Sequence, residues 1–286
     1  LDRYKYYISG SGAYTSAQTA LSLADQATTG GQTHALDIQC TTADTSVGAS
    51  EYAFIYHLVE AQNCQHLKFG TSSAVDLTIQ FYVKSNLTGT TCGFIAKEDD
   101  GGGATYCQAP FEFTINSANT WEKKVVTIPA NAVIQASSSI INNDNGAGIG
   151  IGFNLLLGDN FDNGTNLTWA TGGASYATTN QLNFLSSTNN DFFITGLQVE
   201  VGNDASDFEH LPIDVQLQRC FRYCFQDNPA QYDPTTVGSC NSSDSCISHY
   251  FFPVEMRGDP SLTTSGTASD YVIYEAGDCL LYTSDA

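Results

Sequence analysis

Gly148-Ile149-Gly150-Ile151-Gly152-Phe153-Asn154-Leu155-Leu156-Leu157 alternates bulky apolar residues with glycine and asparagine over its first eight positions. Side chains on a strand point alternately to its two faces, so the stretch reads as one long β-strand. Ile149, Ile151, Phe153, Leu155 and Leu157 form its apolar face. Gly148, Gly150 and Gly152 leave the other face nearly bare, which suggests a closely approaching partner or a flat surface. The glycines do not form a nucleotide loop: the GxGxxG register is absent and no helical pattern follows.

The same period recurs outward from this strand. Leu77, Ile79, Phe81 and Val83 alternate with Thr78, Gln80, Tyr82 and Lys84, the pattern of a half-buried strand. Trp121 to Ile128 is a strand stopped by Pro129, and Phe192 to Val201 is another, ended by Gly202-Asn203-Asp204. Further strands are expected at 34–40, 52–60, 92–98 and 106–114, separated by Gly/Asn/Asp-rich turns at 99–103, 142–146 and 162–164. Many strands without intervening helices predict an all-β protein built on a jelly-roll β-sandwich. The pattern breaks once. Ile213, Leu217, Cys220, Phe221 and Cys224 fall on one face of a helix that begins near Pro212 and ends before Asn228-Pro229. The expected organisation is a jelly roll over 1–210, a connecting helix within 211–227, and a small C-terminal β domain over 228–286. The last has strands near 247–256, 271–275 and 279–282 and too little core to stand alone.

Composition narrows the function. Of 286 residues only 14% are charged, against a usual ~25%. Thirty acidic residues face ten basic ones, a formal net charge of −20. No basic residue lies between Lys124 and Arg219. Nucleic acid and anionic membrane surfaces are therefore not expected partners, since both call for a basic patch. No segment has the length and apolarity of a membrane-spanning helix. The nine cysteines include no CxxC and no nearby histidine at zinc-site spacing, so buried thiols or a few disulfides are expected and no metal or cofactor. The five histidines are scattered, with no HExxH and no GxSxG, and no catalytic residue is assigned. Paired carboxylates of a polysaccharide-cleaving enzyme remain an alternative, because thirty acidic residues offer many pairings. Trp169 and Tyr176, in the polar loop 166–176, are the candidate sugar-stacking residues; a core position is the commoner fate of such a tryptophan, and Trp121 at a strand start reads as core. Arg257-Gly258-Asp259 matches an adhesion tripeptide that short sequences reach by chance.

Several ordered motifs carry a resemblance. They are Phe192-Phe193-Ile194-Thr195-Gly196-Leu197-Gln198-Val199-Glu200-Val201-Gly202 followed by Ala205-x-Asp207-Phe208-Glu209-His210, and upstream Cys40-Thr41-Thr42-Ala43-Asp44-Thr45-Ser46 and Ala118-Asn119-Thr120-Trp121-Glu122-Lys123-Lys124. Downstream stand Cys220-Phe221-Arg222-Tyr223-Cys224 and Phe252-Pro253-Val254-x-Met256-Arg257-x-x-Pro260-Ser261. Together they resemble bacteriophage tail-fibre and other virion structural proteins that carry a carbohydrate-binding-like jelly roll, many of them from marine phages. Phe221 and Cys224 depart from that family's helix, which has glutamine and an aromatic residue there. The resemblance implies a virion-surface location, homo-oligomers (trimers by analogy), contact with other virion proteins and with host-surface glycans, and no enzymatic activity. Alternatives are a capsid decoration or head-fibre protein without a ligand and a depolymerase. The absence of an initiator Met before Leu1, and a strand-like run breaking off at Ala286, suggest a piece of a longer chain.

Overall fold

The computed structural model describes residues 4–98, 106–226, 236–242 and 245–261. Its contacts divide the chain into two units, 1–210 and 211–286. The first unit carries β1 (Tyr4–Ser9), β2 (Ala13–Ala20), α1 (Leu23–Thr28), β3 (His34–Thr42), β4 (Tyr52–Glu60), β5 (Leu77–Lys84), β6 (Gly89–Lys97), β7 (Cys107–Ile115), β8 (Glu122–Ile128), α2 (Ala132–Gln135), β9 (Ala147–Leu157), β10 (Ala170–Thr171) and β11 (Asp191–Val201). The strands form two antiparallel sheets, ordered β1-β4-β9-β6-β7-β10 and β2-β3-β11-β5-β8. The protein is all-β, and these sheets form a jelly-roll-like sandwich.

The inward faces meet in one core. Phe111 and Phe153 from the first sheet interdigitate with Phe81 and Phe192 from the second, all at most 1% exposed. Phe81 and Phe153 lie edge to face at 4.9 Å. Isoleucines alternate with the glycines of β9 and enter this core, as the period predicts. Cys40, Cys64 and Cys107 are also buried in this core, and Cys92 is buried outside it beside Thr178. No group of three or more His, Cys, Asp or Glu side chains able to hold a metal occurs among the described residues.

Two expectations change. Strand β5 is buried on both faces rather than half-buried: Thr78 and Gln80 are 0% and 2% exposed. The segment after β11 folds back over them. Thr78 Oγ1 donates to the Gly202 carbonyl at 2.6 Å, and Gln80 Nε2 to the Ser206 carbonyl at 2.8 Å. The strands β1 and β2 were not expected; their residues are mostly exposed, and β1 (Tyr-Lys-Tyr-Tyr-Ile-Ser) and the polar β2 carry little apolar–polar alternation.

Glu122 anchors the start of β8. Its carboxylate accepts from the backbone amides of Asn116 and Ser117, both at 2.8 Å, from Asn116 Nδ2 at 2.7 Å and from Lys124 Nζ at 2.6 Å. Partial desolvation pushes its pKa up, but these donors outweigh it and hold the carboxyl at about 2. The folded-state pKa is depressed, so the stabilisation is present above the unfolded value near 4.5 and is lost as pH falls through about 2. Glu122→Gln is expected to lose on the order of 1 kcal/mol at pH 7, after discounting for partial solvent screening. Urea unfolding of both proteins from pH 7 to 2 checks this; the gap should close as acid protonates the wild-type carboxylate.

The second unit contains α3 (Ile213–Phe221) and an antiparallel hairpin of β12 (Val237–Ser242) and β13 (Ser245–His249). The helix is shorter than expected, because the amides of Tyr223 and Cys224 both turn back to the Cys220 carbonyl. Strand β13 likewise ends at His249, before the expected 256. Phe225, Tyr250 and Phe252 then form a small aromatic cluster. The strands expected at 271–275 and 279–282 lie outside the described residues.

Candidate functional site

The outward face of the six-stranded sheet is aromatic. On β4, Tyr52, Phe54 and Tyr56 occupy alternate positions and share one face, opposite the core residues Ala53 and Ile55. Tyr7 on β1 pairs directly with Phe54, and its ring stacks on Phe54 at 5.1 Å. From β6, Phe94 joins this face and stacks on Tyr56 at 5.3 Å.

The bare face of β9 now has a structural reason. A Cβ on Gly150 would overlap the ring of Tyr56, and one on Gly152 the ring of Phe94. The expected close partner is thus intramolecular: the two rings pack across the glycine backbone, Phe94 fully buried and Tyr56 nearly so, and close the base of the cleft.

Walls rise from the loop between β9 and β11. Tyr176 stacks on Phe54 at 5.7 Å and meets Phe94 edge-on at 4.7 Å. Phe161 meets Tyr52 at 5.6 Å and Tyr176 at 6.0 Å. The loop is pinned to the sheet: Asn154 Nδ2 donates to the Tyr176 carbonyl at 2.7 Å, and the Leu167 amide to the Pro110 carbonyl at 2.8 Å. The result is an open cleft of about 340 Å³, lined by Tyr7, Tyr52, Phe54, Tyr56, Phe94, Glu98, Tyr106, Leu157, Phe161 and Tyr176. Its volume lies within the roughly 300–1,000 Å³ of small-molecule sites.

A short polar row crosses the floor. Tyr56 Oη donates to Glu98 Oε1 at 2.5 Å, and Tyr106 Oη donates to Tyr176 Oη at 3.3 Å. Desolvation, then the neighbouring Glu98 charge, pushes the Tyr56 phenol well above its ordinary pKa. Burial does the same to Tyr106 and Tyr176. These phenols therefore stay protonated at neutral pH and act as hydrogen-bonding groups, with no activated nucleophile among them. Glu98 is the one carboxylate among the described residues that line the cleft, whereas glycoside hydrolysis ordinarily uses two.

Of the two candidate residues, Tyr176 stands in the cleft wall. Trp169 does not. Its ring is 2% exposed and packs edge-on against Phe69 at 5.4 Å, while its carbonyl accepts from Asn131 Nδ2 at 2.9 Å. This corrects the sugar-stacking assignment of Trp169, whose polar loop caps the sandwich and turns the indole inward. Trp121 is buried beside Leu21 and Ala35, with Lys84 Nζ 5.0 Å from its ring centre.

Fold and cleft define a β-sandwich with an aromatic cleft on an outer sheet face. No protein-family model matches the chain, and no curated protein matches it in sequence. Solved structures similar to it include the family 11 carbohydrate-binding module of the cellulosomal cellulase Lic26A-Cel5E of Clostridium thermocellum, at 12% identity and a TM-score of 0.36, covering 72% of this chain and 91% of that one. A putative sugar binding protein from Bacteroides thetaiotaomicron matches at 12% identity and a TM-score of 0.36, over 69% of this chain and 88% of that one. The enzymatically active domain of tailspike protein 4 from bacteriophage CBA120 matches at 10% identity and a TM-score of 0.36, over 70% of this chain. The match spans 19% of that tailspike chain.

Proposed function

We propose that the protein is a non-catalytic glycan-binding component of a virion surface appendage, such as a tail fibre. The observation that carries the glycan reading is the cleft itself. Aromatic faces on a rigid sheet suit the apolar C–H faces of pyranose rings, while Glu98 and the phenols of Tyr56, Tyr106 and Tyr176 suit sugar hydroxyls. The virion location rests on the ordered sequence motifs given above. So does a homotrimer contacting other virion proteins, in which several weak cleft contacts per particle would multiply into firm attachment.

The test is binding of the labelled, folded protein to intact candidate host cells before and after periodate oxidation of surface glycans. Saturable binding that periodate removes is the expected result. No binding by a folded protein overturns the glycan reading in favour of a decoration protein, and release of reducing sugar would overturn the non-catalytic one. Within the same assay, Tyr176→Ala is expected to weaken binding at least tenfold, since an aromatic anchor of a binding site carries about 2 kcal/mol or more. Trp169→Phe, which alters the core away from the cleft, should leave binding by the folded fraction unchanged.

A further inference from the structure

We infer that the cleft selects ligands bearing a positive charge: an alkylammonium group of the kind that an amino sugar or a choline substituent places on a glycan. This rests on the glycan reading of the same cleft and narrows it. Eight aromatic rings surround the cleft; Phe94 is fully buried beneath it, and the exposed faces of the others carry negative electrostatic potential. A cation held over such faces is attracted, most strongly where water is excluded, and an anion there is repelled.

Charge on the wall points the same way. Glu98 places a carboxylate in the lining, and no lysine, arginine or histidine lines the cleft among the described residues. Lys5 pairs across from Tyr56, but its side chain is exposed and outside the lining. Lys97 is fully buried and shares the inward parity of Ile95, the face opposite the cleft. Beyond the cleft, a formal net charge of −20 raises the local concentration of cations and lowers that of anions. A neutral sugar can stack here, but gains nothing from either source of potential.

The test uses the full chain and ligand-observed NMR titrations at fixed ionic strength, so that screening is constant. Choline is compared with 3,3-dimethylbutan-1-ol, which has its shape without its charge; glucosamine is compared with N-acetylglucosamine; glucuronate is the anionic probe. At least one cation should bind about two- to thirtyfold more tightly than its uncharged counterpart, the range of cation–π contacts from exposed to desolvated sites. Glucuronate should bind most weakly. Preference in the choline pair alone identifies a quaternary ammonium, and in the glucosamine pair alone an amino sugar. Glu98→Gln, checked for folding by near-UV circular dichroism, should reduce the charged-to-uncharged ratio severalfold. Equal affinities within both pairs overturn the inference. So does a ratio that Glu98→Gln leaves untouched and that raised ionic strength abolishes, which would trace it to the overall charge of the protein. A neutral oligosaccharide that binds the cleft while both pairs show no gap overturns this inference alone. Loss of all binding, to cells and to every probe, overturns the glycan reading with it.

Discussion

Phe153→Ala is expected to destabilise the sandwich by about 3–5 kcal/mol, the usual cost of removing a buried phenylalanine ring. Phe153 is fully buried at the centre of β9 and contacts rings from both sheets: Phe81 at 4.9 Å, Phe111 at 6.1 Å, and Phe113 and Phe192 each at 6.3 Å. The void could not close easily, because β9 is hydrogen-bonded to β4 on one side and β6 on the other. Deleting the ring therefore loses its transfer free energy and also leaves a cavity. Phe153→Leu keeps most of the volume and should recover more than half of the loss. Urea unfolding reads both variants through the midpoint at constant slope. A loss below about 1 kcal/mol for the alanine variant would mean that the two sheets do not interlock through this cluster.

The strands that met in this cluster were also the legible ones. Period two is clear on β5 and on β9 up to Phe153, whose inward positions are large and apolar; bulges break it in β11 between Thr195 and Gln198 and in β9 beside Leu155, so that Leu156 enters the core and Leu157 the cleft lining. Strand β2, Ala-Tyr-Thr-Ser-Ala-Gln-Thr-Ala, sits at a sheet edge where polar side chains face water, so its burial left little trace in the residues. The covering of β5 was equally hidden: Gln80 looks solvent-facing until residues 202–206, more than 120 positions away, fold over it.

The cleft shows the same limit more sharply. Its residues come from β1, β4, β6 and the position after it, the position before β7, the end of β9 and the loop at 161–176. Periodicity assigns each residue a face but cannot say which faces converge. Two local signals did exist. Tyr52, Phe54 and Tyr56 put three aromatics on one face of a strand whose opposite face was already apolar, and the glycines of β9 left space for flat rings. Read together, they mark a strand with two occupied faces, one for the core and one for something else. Trp169 takes the core position that the sequence favours over a stacking role: the polarity of its loop describes its neighbours in the chain, while the indole packs on Phe69.

Gly152→Ala tests the link between that glycine row and the cleft. The backbone at Gly152 lies outside the left-handed region, so alanine meets no conformational strain there. Taken alone, the substitution would stabilise by about 0.4–1 kcal/mol through the unfolded chain. The methyl group instead overlaps the ring of Phe94, which is fully buried and has Tyr56, Phe54 and Tyr176 packed around it. Overpacking of this kind costs about 1–3 kcal/mol. The cost cannot be relieved by moving β9, which is clamped on both sides, so the ring must lift. Lifting Phe94 displaces the floor and, through ring contacts of 5.3 Å to Phe54 and 4.7 Å to Tyr176, the wall. Ligand affinity should therefore fall at least tenfold even in the folded fraction. Gly173→Ala is the control: no atom lies within 4 Å of the new methyl and its φ is ordinary, so stability should be unchanged or slightly raised and binding retained. Adding Phe94→Leu to Gly152→Ala removes the overlap, and stability should largely return while binding does not, because the ring that supports Phe54 and Tyr176 is gone. If Gly152→Ala unfolds and binds like the wild type, the rings do not rest on the strand, and the glycine alternation that opens onto the cleft has some other cause.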